Sequence, residues 1–327
     1  MPIEPRSDSP GTGVRLVRID PERAGQRLDN FLLGQLKGAP RSLVYKLVRS
    51  GQVRVNGGRA KAERRLEAGD EVRIPPVRLA EAEATGPAPK GLLAAMEASI
   101  VFEDARLLAI NKPSGIASHG GSGVSFGVIE TMRSLRPGQP LELVHRLDRD
   151  TSGLMVLAKK RSALTELQAL LREDHGAGIE KRYLALLLGR LPDGTLSVDA
   201  PLLVGLRQGG ERHVQVLPHK SAGNGKPSLS HFKVIERIGG QSYCEVRIET
   251  GRTHQIRVHA QHLGHPVAGD DKYGDEAANK RLRDNAGLKR LFLHASTLSF
   301  ALDRGKTPYM LNAPLASELA NVLDRLA

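Results

Sequence analysis

The 327-residue chain contains a single cysteine, Cys244, and no apolar run as long as a membrane helix. One cysteine excludes an internal disulfide framework and any zinc cluster built on several cysteines. A membrane helix needs about 20 consecutive apolar residues, and Met1 to Pro10 lack the apolar core of a signal peptide. We therefore expect a cytoplasmic protein whose chemistry does not use sulfur.

The charge of the chain is strongly positive. Its formal net charge is +12, and its pI is about 10.0. Residues 1–80 hold 16 Lys and Arg against 9 Asp and Glu, so this region alone contributes a net of +7. Lys and Arg side chains placed on phosphates release condensed counterions. This excess favours RNA or the ribosome as the partner, with the N-terminal region as the anchor.

Two short helices are predicted in the basic region. Apolar residues recur at helical spacing in both, namely Leu28, Phe31, Leu32 and Leu36 in the first and Leu43, Val44, Leu47 and Val48 in the second. On the second helix Ser42, Lys46 and Arg49 recur at spacings of four and three, so they share a face turned away from the apolar residues. We expect this face to contact phosphates.

Two short strands are predicted to follow these helices. Val53 and Val55 alternate with a charged residue, Asn56-Gly57 marks a tight turn, and Val72 to Ile74 form a returning strand. This helix, helix and strand unit covers about the first quarter of the chain and resembles the alpha-L RNA-binding module. The resemblance implies that Lys46 and Arg49 bind RNA.

The chain, at 327 residues, is longer than a domain with a single hydrophobic core usually is, so two domains are expected. Between Pro75 and Pro89 the sequence turns to Ala, Glu and Pro, which suits a linker. From Ser99 onward, short apolar runs bounded by Gly, Pro and polar residues predict strands with helices between them in one mixed sheet. The predicted organisation is a flexible tail (1–12), an RNA-binding domain (13–76), a linker (77–98) and a second domain (99–327).

The segment Val144 to Ala158 places a polar cluster directly before a continuous apolar run. This pattern predicts a loop that leads into a buried strand. In an extended loop Asp148 and Asp150 share a face, and Arg146 and Arg149 supply opposite charge nearby. From the residues alone, the loop is either a charged surface loop or a functional site.

The polar cluster itself, HRLDRDTSG, resembles the signature of the RluA-type pseudouridine synthases. Four further segments agree with that family in order and spacing: Asn111 to Gly115, Lys181 to Tyr183, Thr250 to Asp271 and Arg290 to Ala295. The resemblance extends over nearly all of residues 99–327. It implies an α+β fold, in which the second domain is built on a mixed, mostly antiparallel sheet flanked by helices.

The resemblance also implies a catalytic residue and its partner. In the family, the aspartate at the position of Asp148 is the catalytic carboxylate, which acts as a nucleophile or as a base and must be ionised for either use. The family places the arginine at the position of Arg257 against this carboxylate. A neighbouring cation favours the ionised form in a dry pocket, so Arg257 is expected to hold Asp148 in its active state.

Other residues are expected to hold the RNA. A stacked uridine cannot reach a buried carboxylate and must be flipped out of the helix. The resemblance implies that Arg146 enters the vacated stack, that Tyr183 packs on the target base and that Ile256 closes the opposite side of the pocket. Lys181 is expected to contact phosphate.

The segments Gly120 to Pro137 and Asp270 to Asp275 resemble the family members that modify large-subunit ribosomal RNA. Large-subunit ribosomal RNA is therefore the expected partner, with transfer RNA as the alternative substrate. The isomerisation needs no energy input, so we expect no cofactor and no metal. We also expect a monomer with no obligatory protein partner and no membrane association.

Two other classes of function remain open from the residues. Four histidines, His254, His259, His262 and His265, precede two aspartates and could bind a divalent metal in a nuclease or phosphodiesterase. Their spacings of 5, 3 and 3 match no His-x-x-x-His zinc helix. A non-enzymatic ribosome-assembly factor would use the same basic surface, and the intact motifs around Asp148 weigh against that alternative.

Overall fold

The computed structural model describes residues 13–36, 39, 41–77, 88–120, 126–172, 178–206, 212–217 and 225–327. The chain divides into two compact units, Met1–Pro87 and Ala88–Ala327. The predicted tail (1–12), residues 78–87 of the predicted linker and residues 121–125 of the segment from Gly120 to Pro137 lie outside the described residues. Each helix in the described part is too short or too polar to span a lipid bilayer.

The first unit is a small antiparallel sheet covered by two helices. Its elements are β1 (Arg15–Arg18), a 3-10 helix (Pro21–Arg23), α1 (Leu28–Gln35), α2 (Arg41–Arg49), β2 (Arg54–Val55) and β3 (Glu71–Ile74). The strands pair in the order β1-β3-β2. Asn56 and Gly57 adopt positive φ angles of 51° and 75°, as a tight hairpin turn requires. The two predicted helices and the turn are confirmed, whereas β1 was not predicted.

The amphipathic pattern of α2 determines which of its faces is buried. Val44 and Leu47 belong to the core of the unit, while Lys46 and Arg49 are exposed. Burial of an aliphatic side chain contributes roughly 1.5–3 kcal/mol, so the helix cannot rotate its basic face inward without losing this contribution. The basic face therefore stays available to solvent.

The second unit is built on a ten-stranded sheet and a separate hairpin. Its helices are α3 (Lys90–Ala98), α4 (Val128–Leu135), α5 (Arg161–Leu170), α6 (Gln255–His262), α7 (Glu276–Ala286) and α8 (Ser317–Leu326). Its strands are β4 (Ile100–Glu103), β5 (Leu107–Lys112), β6 (Glu142–Leu143), β7 (Ser152–Ala158), β8 (Ile179–Leu187), β9 (Thr195–Asp199), β10 (Leu202–Leu206), β11 (Arg212–Val216), β12 (Leu229–Ile238), β13 (Gln241–Ile248), β14 (Leu293–Leu302) and β15 (Thr307–Asn312).

The large sheet runs in the order β4-β5-β7-β14-β8-β13-β12-β9, with β15 on β14 and β6 on β7. Among the described strands, β7 and β14 are parallel, and the other pairs of this sheet are antiparallel. The expected mixed, mostly antiparallel sheet is confirmed. Alternate residues of β8 reach opposite faces, so Ala185 packs in the cluster with α6 and Leu186 in the cluster with α7 and α8.

The predicted linker (77–98) is wrong in its C-terminal part. Residues Lys90–Ala98 form α3, which packs against α4. Met96 is fully buried in the main core of the second unit. The Ala- and Pro-rich composition around this segment indicated a poorly packing linker, but a short helix gains most of its stability from tertiary packing rather than from intrinsic propensity.

Gly153 lies in β7, just after the polar loop that precedes this strand. Its φ angle is +109°, and its register partner on the parallel neighbour β14 is Ala295. A Cβ atom at Gly153 would collide with the backbone of Ala295. The glycine therefore allows the only parallel pairing seen among the described strands of this sheet.

We expect Gly153→Ala to lower the thermal unfolding midpoint by roughly 10 °C, since it adds a backbone collision to an unfavourable φ angle. Gly138→Ala is the matched control, because Gly138 also has a positive φ of 80° but open space around its Cβ position. The control should lower the midpoint by no more than about 4 °C. Circular dichroism measures both values, and equal shifts would contradict the collision.

Candidate active site

The predicted polar loop runs from Val144 to Thr151, between β6 and β7. Backbone and side-chain groups of the segment that follows β5 hold it in place. The Ser118 hydroxyl donates to the Leu147 carbonyl at 2.8 Å, and the Gly115 N–H donates to the Arg149 carbonyl at 2.9 Å. The loop is therefore fixed on both sides of Asp148.

The buried side chain of Lys112 also holds this loop in place. Its side chain is fully buried, and its Nζ donates to the carbonyls of Pro113, Ile116 and Arg149 at 2.9, 2.8 and 3.0 Å. Burial lowers the pKa of Lys112 to about 7, against the attraction of nearby Asp150 and Asp148. Lys112 thus joins two loops through three carbonyls instead of facing the solvent.

Asp148 lies in a cavity of about 750 Å³. Cavities of this size hold small ligands or a single nucleotide. The side chains that line it include Arg146, Asp148, Lys181, Tyr183, His254 and Arg257. The cavity therefore presents two carboxylates, Asp148 and the exposed Asp150, among several basic groups and an aromatic ring.

Arg257 is the basic group that stands closest to the Asp148 carboxylate. Its Nη1 is 3.7 Å from Asp148 Oδ2, and its Nε and Nη2 donate to the two carboxylate oxygens of Asp270 at 2.7 and 2.8 Å. A planar guanidinium can make such a two-bond contact and still present a third nitrogen. Asp270 thus orients Arg257, which faces Asp148 with the remaining nitrogen.

The Arg257–Asp270 pair is buried, with side-chain exposures of 8% and 0%. Burial acts to raise the pKa of Asp270, but the hydrogen bonds from Arg257 and from backbone N–H groups hold that pKa below its ordinary value. Because the folded-state pKa is the lower one, the ionised carboxylate stabilises the fold above pH ~4, and this contribution is lost as the pH falls through the folded value. Both partners are therefore charged at neutral pH.

His254 approaches Asp148 from the start of α6. Its Nε2 is 3.9 Å from Asp148 Oδ2, and its Nδ1 is 2.8 Å from the Tyr273 hydroxyl. His254 adopts the left-handed conformation, with φ 54° and ψ 19°. For a non-glycine residue this conformation costs on the order of 1–3 kcal/mol and persists only where surrounding contacts impose it.

Lys181 and Tyr183 project from β8 into the cavity. They are two residues apart, so they lie on one face of the strand. Lys181 is buried, its Nζ donates to the Glu249 carbonyl at 3.3 Å, and burial and the nearby Arg252 lower its pKa to about 8. Burial, together with Asp148, raises the pKa of the Tyr183 hydroxyl. Lys181 thus lies inside the cavity rather than on the outer surface.

The other predicted residues occupy three different environments. Arg146 is exposed and lines the cavity. Ile256 is buried in the cluster beneath α6 and lines a recess of about 80 Å³ that Asp148 also lines. Lys46 and Arg49 lie on the exposed face of α2 in the first unit. The cavity and the adjoining recess therefore bring together the residues predicted from the second domain, while the first unit carries the other two.

The histidines considered as metal ligands form hydrogen bonds in different parts of the second unit. His259 is buried between the Ser230 hydroxyl and the Ala200 carbonyl, and His265 Nδ1 lies 2.8 Å from the Leu188 carbonyl. Within the described ranges, His, Cys, Asp and Glu side chains form no group of three or more that could hold a metal ion. The four histidines thus do not converge on one point.

Sequence reasoning missed the residues that support the site. Tyr273 lies in a matching segment but received no role, and Asp270 was considered only among possible metal ligands. Neither their distance along the chain nor their residue type points to Arg257. Lys112 lies in the matching segment Asn111 to Gly115, but its three carbonyl contacts were not foreseen. A usable signal was present for Lys181 and Tyr183, because their spacing of two on a predicted strand puts them on one face.

Residues 106–262 match the family described as RNA pseudouridylate synthase, and residues 26–72 match the S4 domain. The ribosomal large subunit pseudouridine synthase C of Escherichia coli is 50% identical over 316 residues, covering 96% of this chain and 97% of its own. The protein of the same name from Pasteurella multocida is 48% identical over 315 residues, covering 96% of this chain and 94% of its own.

Two solved human structures share the fold. RNA pseudouridylate synthase domain containing 1 is 27% identical with a TM-score of 0.55, and the match covers 68% of this chain and 85% of that one. RNA pseudouridylate synthase domain containing 4 is 24% identical with a TM-score of 0.59, covering 72% of this chain and 95% of that one.

We expect Asp270→Asn to lower the free energy of unfolding by about 3–5 kcal/mol, because it leaves the buried Arg257 guanidinium without its counter-charge. The adjacent Asp271 is exposed, and Asp271→Asn should change stability by less than about 0.5 kcal/mol. The chain has no tryptophan, so urea unfolding is best followed by far-ultraviolet circular dichroism. Similar losses in the two variants would contradict the importance of the buried pair.

Proposed function

The chain belongs to the RNA pseudouridylate synthase family, and we propose that it converts specific uridines of large-subunit ribosomal RNA to pseudouridine. The observation that carries this proposal is the position of Asp148 in a nucleotide-sized cavity, beside an arginine that a second carboxylate orients. The names of the relatives from Escherichia coli and Pasteurella multocida support large-subunit ribosomal RNA as the substrate.

The reaction exchanges two bonds within one nucleoside. The bond between uracil N1 and ribose C1′ breaks, the base turns, and a bond forms between C5 and C1′. C5 loses a proton and N1 gains one, so atoms and charge balance without an oxidant or a cofactor. The protein must therefore activate the nucleoside and retain the detached base.

Asp148 is proposed to activate the nucleoside, either as the nucleophile or as the base that removes a ribose proton. Both roles need an ionised carboxylate. Arg257 supplies a positive charge 3.7 Å away, and the pair that it forms with Asp270 keeps this charge in a buried position. An oriented cation in a site shielded from water stabilises an anion more than a solvated cation does.

Four other side chains are proposed to hold the flipped nucleotide. The Tyr183 ring would pack on the uracil, and Ile256 would close the recess next to Asp148. Lys181 would contact the phosphate of the flipped nucleotide inside the cavity, because its buried position keeps it from the outer RNA surface. Arg146 is exposed at the cavity, where its planar guanidinium can enter the vacated stack.

The first unit is proposed to anchor the RNA through the face of α2. Its match to the S4 domain and the exposure of Lys46 and Arg49 support this role. We further propose that the chain acts as a monomer in the cytoplasm, where ribosomal RNA is found, and needs no protein partner. The net charge of +12 favours direct binding to a polyanion.

The first test maps pseudouridines by carbodiimide-blocked primer extension on ribosomal RNA from cells that lack the protein. Wild type should restore specific stops in large-subunit RNA, and Asp148→Asn should not, with a rate loss of at least roughly 10⁴-fold for the purified enzyme. Asp150→Asn is the matched control, since Asp150 is an exposed carboxylate of the same loop. It should restore the stops.

Three outcomes would change the proposal. Unchanged large-subunit RNA together with altered transfer RNA would move the substrate and keep the chemistry. Restoration by Asp148→Asn would overturn the catalytic role of Asp148. Failure of both variants would indicate that the loop, rather than one carboxylate, is needed.

A second test concerns the α2 face. We expect Lys46→Ala combined with Arg49→Ala to weaken RNA binding about tenfold and to reduce the slope of log K against log salt by about 1.5, because two phosphate contacts are lost. The single-turnover rate at saturating enzyme should not change. Lys61→Ala removes an exposed charge of the same unit that is not part of α2. If this control weakens binding as much per charge removed as the double variant does, a specific role of the α2 face is contradicted.

A further inference from the structure

Two side-chain nitrogens lie near the same oxygen of the Asp148 carboxylate. Arg257 Nη1 is 3.7 Å and His254 Nε2 is 3.9 Å from Asp148 Oδ2. We infer that His254 is a positioning residue, which together with Arg257 holds Oδ2 so that Oδ1 is the oxygen presented to the nucleoside. This inference rests on the proposed function. Distances of this kind are often long before substrate binds and shorten in the reactive complex.

The hydrogen bonds of Tyr273 determine which nitrogen of His254 carries the proton. The Val214 N–H donates to the Tyr273 hydroxyl oxygen at 3.1 Å, and the same oxygen lies 2.8 Å from His254 Nδ1. A phenol has one proton to donate, and the contact with Val214 does not use it. When Tyr273 donates this proton to Nδ1, a neutral imidazole must carry its own proton on Nε2.

The opposite tautomer is electrostatically unfavourable. With the proton on Nδ1, the lone pair of Nε2 would face the ionised Asp148 carboxylate, and the two would repel each other. Among the charged groups around the ring, Asp148 and Asp270 favour its protonation whereas Arg257 and Lys272 oppose it. Burial lowers the pKa of His254, so the ring is neutral at physiological pH and Nε2–H faces Asp148.

Tyr273, which contacts His254, is held in a packed, buried position. Tyr273 is 1% exposed and packs with Leu202, Val214 and Val258, which belong to β10, β11 and α6. The guanidinium carbon of Arg257 lies 5.0 Å from the centre of the Tyr273 ring. Tyr273 therefore contacts both side chains that face Asp148 Oδ2. Through the hydrogen bond of the Val214 N–H to Tyr273, the β10–β11 hairpin helps to position His254.

Two substitutions of His254 separate this role from a structural one. The side-chain amide nitrogen of His254→Gln lies where Nε2 lies, so it can still donate to Asp148. The shorter amide of His254→Asn reproduces the Nδ1 position and can contact only Tyr273. Asparagine, however, tolerates the left-handed conformation of this position better than glutamine does.

Stability and turnover should therefore rank the variants in opposite order. We expect His254→Asn to be at least as stable as His254→Gln. In single-turnover assays on transcribed large-subunit ribosomal RNA, His254→Asn should lose roughly 100-fold in rate with little change in RNA affinity, and His254→Gln should retain at least about tenfold more activity than His254→Asn. A structural role alone predicts that the more stable variant is the more active.

Tyr273→Phe removes the hydroxyl and should lower the rate in the same direction as His254→Asn. Tyr243→Phe is the matched control, because Tyr243 packs on Phe292 away from the cavity, and its rate should not change. Nitrogen-15 spectra of the full chain, with His254→Gln used for assignment, should show His254 protonated on Nε2 in the wild type and a mixture of tautomers in Tyr273→Phe.

The outcomes distinguish this inference from the proposed function. An active wild type in which the Gln and Asn variants are equally slow would overturn the inference and leave the function standing. A wild-type His254 protonated on Nδ1 would overturn it independently of any activity. A wild type that isomerises no uridine would remove the proposed function, and the inference would fall with it.

Discussion

The geometry of the site depends on one buried ion pair. Arg257 and Asp270 have side-chain exposures of 8% and 0%, and a guanidinium in such a place is tolerated only with a matched carboxylate. The pair fixes the plane of the guanidinium, since two of its nitrogens are committed to Asp270. The nitrogen that remains faces Asp148. Asp148 thus lies next to a permanent cation that faces its Oδ2 atom.

The loop that carries Asp148 is also held in place by hydrogen bonds. Asp148 lies on a loop, and loops are ordinarily the mobile part of a fold. Here β7, the strand that follows the loop, is a central strand of the sheet, and Lys112 at the end of β5 is the register partner of Gly153 in β7. The buried ammonium of Lys112 can therefore bind carbonyls from two loops at once. Such a loop loses little conformational entropy when substrate binds.

Local sequence patterns were enough to predict much of the fold. Contacts between residues that are distant in sequence became visible only in the folded chain. The spacing of Leu28, Phe31 and Leu32 was enough to predict α1, and the apolar run from Leu154 to Ala158 was enough to predict β7, because helix and strand periodicities are local. The positions of Asp148 and Arg257 in one site came from family resemblance, not from the residues themselves. The contact of Arg257 with Asp270 and that of Tyr273 with Val214 join segments whose approach depends on tertiary packing, which no local pattern encodes.

The basic side chains of the cavity differ in burial, and this difference gives them different electrostatic roles. Arg146 is exposed, so its charge is screened by water and salt and acts mainly on phosphates that it touches. Arg257 is buried, where the same charge acts over a longer distance on Asp148. Lys181 is buried as well, but its pKa is about 8, so its charge would increase when a phosphate enters the cavity. The exposed positive charge of the cavity is thus separated, by burial, from the buried positive charge that faces Asp148.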